Sequence, residues 1–234
     1  MTFRLCCIAL PAALLAAAPA AAAERNFGVA GYEQVRVEGP FRVTLTTGVA
    51  PFARASGSTA ALDAVLIEMR GRTLIVKLKR TGTWGGYPGE SSSAVDVAIG
   101  THDLTSVILN GSGSLAIDRA KGLSFELTVF GSGAARIASV AVDQLRVGIA
   151  GSGSASLAGT AGKITTTING VGALDASALE AKDAAITAQG SSTVRLAVTN
   201  SAKIDATGTS TIELGGAPAC TVRTSGSASV SGCR

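Results

Sequence analysis

The sequence predicts an all-β protein, a parallel β-helix (β-solenoid) with an N-terminal β cap. The first observation behind this is a repeat. A small-residue signature recurs as GSGS at 111–114, GSGA at 131–134, GSGS at 151–154 and GVGA at 170–173. It continues as GSST at 190–193, GTST at 208–211 and TSGS at 224–227, seven copies 16–20 residues apart. Such self-similarity marks a stacked architecture. The second is alternation around each copy. Val107, Leu109, Gly111, Gly113, Leu115 and Ile117 share one phase, and so do Val147, Ile149, Gly151, Gly153, Ala155 and Leu157. A period of two means strand with one face buried. One such strand cannot bury its face alone, whereas stacked coils about 4.8 Å apart can. The third is composition. The 234 residues hold 29 Gly and 47% apolar side chains, but only 4% aromatic and 15% charged. Sparse charge excludes a disordered chain, and the lack of a period of three excludes collagen. Aliphatic ladders account for the missing rings.

Residues 1–23 read as a signal peptide. Arg4 gives a basic start, an apolar run reaches Ala18, and Ala21, Ala22 and Ala23 precede a cleavage point before Glu24. No small-residue lipobox precedes a cysteine at the end of the run. No later stretch has the roughly 18 consecutive apolar residues of a membrane helix. The expected product is residues 24–234, exported to the periplasm or surface of a bacterium, with no transmembrane span.

Residues 24–100 are expected to form an N-terminal β region capping the solenoid. Val35–Val37, Phe41–Leu45 and Leu74–Leu78 read as strands, with turns at Gly39-Pro40 and Arg70-Gly71-Arg72. Ala60 to Ile67 fits either a helical turn or a strand. The densest basic stretch (Arg70, Arg72, Lys77, Lys79, Arg80) alternates with apolar residues and reads as a wet strand face. Nucleic-acid binding is not expected, since that needs a broader basic field with interleaved aromatics. The Gly-rich loop after Arg80 carries Trp84 and Tyr87. These are a candidate sugar-stacking or partner-contact pair, or they fold back on the core.

Residues 101–234 carry the seven copies, with the paired Gly expected at inward positions. Ser or Thr stands between or beside them at Ser112, Ser132, Ser152, Ser191, Thr209 and Ser225, with Val171 the exception. Small hydroxyl residues fit turns and satisfy local backbone groups. Their regular spacing also makes them a candidate binding face for a glycan or ordered water. Cys220 and Cys233 are expected to form one disulfide in an oxidising compartment. Metal-bound thiols would need a second Cys/His pair, and His102 is the sole histidine.

Catalytic signatures are not found. Asp118, Asp175 and Asp205 do not occupy equivalent repeat positions, so they are not expected to stack into one site. His102-Asp103 reads as a turn. The GSGS serines lack the strand-to-helix elbow and histidine partner of a nucleophile. No catalytic residue, metal or cofactor is assigned.

Several segments together resemble the putative auto-transporter adhesin head GIN domain family. They are FGVAGYEQVRVEGPFRVTLTTGV at 27–49, GRTLIVKLK at 71–79, VDVAIGTHDLTSVILNGSG at 95–113 and the Gly-Ser copies that follow. The resemblance covers nearly all of residues 24–234 as one continuous head GIN domain. It implies a right-handed parallel β-helix and a bacterial envelope protein, and carries over no catalytic residues. The expected function is non-catalytic: an adhesin-like binding or structural module whose partner is a glycan or envelope protein. The alternatives are a carbohydrate-active enzyme on a β-helix, and a structural solenoid that self-associates into a homo-oligomer.

Overall fold

The structure is a computed structural model and describes residues 23–79 and 95–234. It is nearly all β, with 76% strand against 3% helix, and forms a β-solenoid of about 6 turns. The expected signal peptide, apart from Ala23, lies outside the described residues.

Four short strands come first: β1 (Ala23–Phe27), β2 (Gln34–Glu38), β3 (Arg42–Thr47) and β4 (Phe52–Gly57). Helix α1 (Thr59–Ala64) follows, started by Ser58, whose hydroxyl accepts from the Ala61 amide. It leads directly into β5 (Val65–Arg70), so the ambiguous stretch from Ala60 to Ile67 is helix and then strand. Next are β6 (Thr73–Leu78), β7 (Asp96–Thr101) and β8 (Ser106–Gly111). Five long strands then wind round the solenoid: β9 (Ser114–Gly131), β10 (Ala134–Gly151), β11 (Ser154–Gly170), β12 (Ala173–Gly190) and β13 (Thr193–Gly208). β14 (Thr211–Gly215), β15 (Ala219–Gly226) and β16 (Ser229–Ser231) form the last coil.

From β9 onward all pairing is parallel, and each Gly-rich corner stacks on the previous one. Gly131 pairs with Gly151, Gly151 with Gly170, Gly170 with Gly190, Gly190 with Gly208, and Gly208 with Gly226. Coils of unequal length keep this register because slippage falls at the bends away from the Gly-rich corner. The register shifts between Ile137 and Val140, Ser156 and Ala158, Ala176 and Glu180, and Ala181 and Asp183. Inside run aliphatic rows such as Leu109, Val129, Ile149, Ile168, Ala188 and Ala206, all fully buried. Each rung buries the rung before it, which accounts for a core with so few rings.

The two corner glycines differ from the sequence expectation of a matched inward pair. The second of each pair, such as Gly133 or Gly153, is buried. The first is exposed and turns the chain, with φ of +96° at Gly131 and +113° at Gly151. Only glycine adopts such backbone without strain. A Cβ on Gly151 would also lie 2.6 Å from the Gly131 carbonyl oxygen. In later coils buried serines replace the second glycine and satisfy one another. The Ser192 hydroxyl donates to Ser210 Oγ at 3.1 Å, and Ser210 donates to the Gly190 carbonyl at 3.2 Å.

Chain order and stacking order part company in the first third. β2 lies between β6 and β8, and β3 lies between β7 and β9, all parallel. Gln34 to Thr47 is therefore a rung, with a disguised copy of the corner. Gly39, at φ +130°, takes the place of Gly111, and Phe41 that of Gly113. The Gly39 amide donates to the Asn110 carbonyl at 2.9 Å, and the Ser114 amide to the Phe41 carbonyl at 2.8 Å. Among the described residues these strands belong to one sheet with the repeats. This end of the stack is closed by antiparallel strands: β4 on β7, β1 on β4 and β5 on β6. Leu62 of α1 is buried there. The outermost strand, β1, is charged, with Glu24 paired to Arg54 and Arg25 to Asp63. Charge of this kind discourages edge-to-edge pairing.

One interior position breaks the apolar rule. Thr166 stands between Val147 and Ile186, fully buried, and its hydroxyl has no hydrogen-bond partner. An unsatisfied buried hydroxyl costs about 1–3 kcal/mol. Thr166→Val keeps the branched shape and removes that cost. It is expected to raise stability by about 1 kcal/mol or more, read as a higher urea midpoint at unchanged slope.

Candidate functional site

Strands that bury every second residue also display every second residue, in straight rows about one rung apart. The corner row is exposed and stacked. The Ser132 amide donates to the Gly111 carbonyl (3.1 Å), Ser152 to Gly131 (2.9 Å), Ser191 to Gly170 (3.0 Å) and Thr209 to Gly190 (2.9 Å). Ser112, Ser132, Ser152, Ser191 and Thr209 thus share one edge, interrupted by Val171, which is 66% exposed. Near the C-terminal end the hydroxyls engage one another, with Ser191 Oγ and Thr209 Oγ1 2.6 Å apart.

Ser225 is not in this row. It pairs with Thr207, two residues short of Thr209, and Ser227 takes the corner place by donating to the Gly208 carbonyl. The sequence spacing misled because TSGS at 224–227 imitates GSGS, whereas the turn is made at Gly226 (φ +92°). Trp84 and Tyr87 lie outside the described residues.

Two residues before the corner runs a second outward row, half-buried at Asn110 and Ala150 and exposed at its other members. The register aligns Asn110, Phe130, Ala150, Asn169, Gln189, Thr207 and Ser225. Phe130 is 45% exposed and offers a ring to solvent. Among the described residues the side-chain amides of Asn110, Asn169 and Gln189 have no hydrogen-bond partner. The alternation gave the signal, since Leu127 and Val129 point inward and Phe130 must point out.

Beyond the corner the outward face is a shallow groove of about 500 Å³. Its floor is small: Ser114, Ala134, Ser154 and Ala173 in one row, Ala116 and Ser156 in the next. Arg42 stands at one end, tied to Asp96 at 2.9 Å, and Asp175 at the other. Between them the Arg136 guanidinium is exposed and has no ion-pair partner among the described residues.

The carboxylates are scattered and engaged locally. Asp118 accepts from the Thr47 amide (3.0 Å) and the Arg119 amide (2.6 Å). The hydroxyl (2.7 Å) and amide (3.2 Å) of Ser177 hold Asp175 below the usual carboxylate range. Asp183 is lowered by the Ser201 hydroxyl and the Asn200 amide. For such groups the stabilisation is present above the unfolded value, near 3.8, and is lost as pH falls through the lower folded value. Thermal stability is accordingly expected to hold down to about pH 4 and fall below it. Asp175→Asn should flatten part of that fall in a pH series of melting curves.

His102 sits at a turn, its carbonyl accepting from the Gly48 amide at 3.1 Å. Among the described residues no three His, Cys, Asp or Glu side chains gather as a metal site. The basic strand face is ion-paired: Glu68 takes both Lys77 (2.7 Å) and Arg70 (3.0 Å), and Arg72 pairs with Glu33. No helix among the described residues is long and apolar enough to cross a membrane.

The fold and its outward rows define an all-β solenoid. Residues 31–218 match the family described as "Putative auto-transporter adhesin, head GIN domain", and the chain belongs to that family. No curated protein matches the sequence. Among solved structures it is similar to a "putative adhesin" from Bacteroides fragilis, at 17% identity and a TM-score of 0.79, covering 91% of this chain and 97% of that one. A "putative lipid binding protein" from Parabacteroides distasonis has 18% identity and a TM-score of 0.72, covering 90% and 96%. A "putative adhesin" from Parabacteroides merdae has 17% identity and a TM-score of 0.69, covering 90% and 95%. At these identities the likeness is one of fold.

Proposed function

We propose that this protein is a non-catalytic, exported, adhesin-like binding module of the bacterial envelope, and that it contacts glycan through the exposed rows beside the Gly-rich corner. The family and the names of its structural neighbours support adhesion rather than catalysis. The observation that carries the glycan reading is the row with Phe130 among the unpartnered amides of Asn110 and Asn169, flanked by the hydroxyls of Ser112, Ser132 and Ser152. A flat ring stacks on the apolar face of a sugar, and amides and hydroxyls bond its hydroxyl groups. Trp84 and Tyr87 extend the proposal as a second stacking pair. The local engagement of Asp118, Asp175 and Asp183 argues against a paired-carboxylate enzyme, which needs two carboxyls facing across a bond.

The test is a glycan array and cell-wall pull-down with the 24–234 chain. Saccharide-dependent binding is expected, reduced at least tenfold by Phe130→Ala with an unchanged melting temperature. Binding no better than to a heat-unfolded control, or binding indifferent to Phe130→Ala, would remove the reading.

A further inference from the structure

Three outward rows run side by side along the solenoid. The corner row and the row of Asn110, Phe130 and Asn169 are two of them. The third lies two residues earlier, where the register aligns Ile108, Thr128, Gly148, Thr167 and Thr187. Over these five rungs none of the three rows holds a charged residue. Charge begins at the borders. On the N-terminal side Arg36 pairs with Ile108 and Glu38 with Asn110, and at the other end Asp205 pairs with Thr187. Glu126 and Arg146 stand in the row alongside.

The polar groups of the patch are unengaged. Among the described residues the hydroxyls of Thr128, Thr167 and Thr187 have no hydrogen-bond partner, like the neighbouring amides of Asn110, Asn169 and Gln189. One rung further on this ends. The Thr207 hydroxyl donates to the Ala188 carbonyl at 3.4 Å, and Thr209 is held against Ser191. Within the patch, the rung of Gly148 and Ala150 carries the smallest side chains, so the surface dips beside Phe130.

Resting on the glycan reading above, we infer that the ligand is a neutral, linear polysaccharide lying along the solenoid axis, about one sugar to each rung. An acidic chain laid on this patch would give up water and find no cation in return. Amides and threonine hydroxyls both donate and accept, as sugar hydroxyls do. Rungs about 4.8 Å apart match the length of one sugar in an extended, equatorially linked chain. The same contacts therefore recur from sugar to sugar over about 19 Å. Phe130 stacks on the sugar that fills the dip. A branched or compact glycan would meet only one or two rungs.

The test is titration calorimetry of the 24–234 chain with cello- and chito-oligosaccharides of two to seven sugars. β-1,4-linked glucuronate oligomers of the same lengths supply the acidic chain in the same geometry. Affinity for at least one neutral series should rise several-fold with each added sugar and level off at about five. The glucuronates should bind at least tenfold more weakly at every length. Gln189→Ala, at the exposed end of the patch, should bring the plateau to about four sugars. Thr167→Glu, in its middle, should weaken the five-sugar ligand at least tenfold. Both variants should keep the wild-type melting temperature. Affinity independent of length, a preference for glucuronate, or a plateau unmoved by Gln189→Ala would overturn this inference and leave the glycan reading standing. So would binding on the array confined to acidic or branched glycans. An array with no saccharide binding at all would remove both.

Discussion

Gly151→Ala is expected to cost about 3–5 kcal/mol, a large share of the ~5–15 kcal/mol that holds a typical domain together. Two effects add. The position has φ +113°, where an L side chain is strained by about 1–3 kcal/mol. The new methyl would also sit 2.6 Å from the Gly131 carbonyl oxygen and 3.2 Å from its carbonyl carbon. That neighbour is backbone in a rung fixed on both sides, so it cannot swing away as a side chain would. Forcing bulk into such a place costs about 1–3 kcal/mol more. Gly122→Ala separates the terms, because Gly122 has φ +137° and open space where the methyl would go. It should lose only the strain. Gly28→Ala meets neither problem and should stay within about 0.5 kcal/mol of wild type. Urea unfolding of the three variants would rank them 151, 122, 28. An equal loss at 122 and 151 would show that stacking distance at the corner is not what selects glycine.

The same corner explains what was legible in the sequence. A glycine that must clear the glycine one coil earlier recurs at each turn, so the repeat could be read and the solenoid inferred. The alternation of Leu127 and Val129 with their outward neighbours could be read for the same reason. The disulfide followed from two cysteines in a chain expected to be exported, and Cys220 and Cys233 are bonded. Other features left no local trace. The rung from Gln34 to Thr47 replaces the second corner glycine by Phe41, and its neighbours in the stack lie tens of residues away in sequence. Sequence spacing cannot show such an insertion. Ser225 lies outside the corner row because Ser and Gly are so frequent here that TSGS at 224–227 mimics the signature. Phe130 carries no motif of its own, and only the strand parity set by Leu127 and Val129 puts this ring outside.

Removing the disulfide with Cys220→Ser and Cys233→Ser should release the last coil and leave the rest of the solenoid folded. The bridge spans 13 residues, and closing a loop of that order stabilises by about 3 kcal/mol in the chain-entropy model. The coil it closes has little else to hold it. β15 is exposed along almost its whole length, in contrast to the buried interiors of β9 to β13. In a stack each coil is stabilised mainly by its neighbours, so a weakened end frays without a signal passing to the middle. About 3 kcal/mol corresponds to roughly a hundredfold in an opening equilibrium. Hydrogen exchange should therefore accelerate about a hundredfold at Ser227 and Ser229, whose amides bind β13 and the turn before β14. The amides of β9 and β10 should keep their protection. The main melting transition should move little, and a small early transition should appear that mild reductant also produces in the wild-type chain. If the whole stack instead melts earlier as one unit, the coils are coupled more strongly than nearest-neighbour stacking allows, and the disulfide is a fastening for the entire solenoid rather than for its final turn.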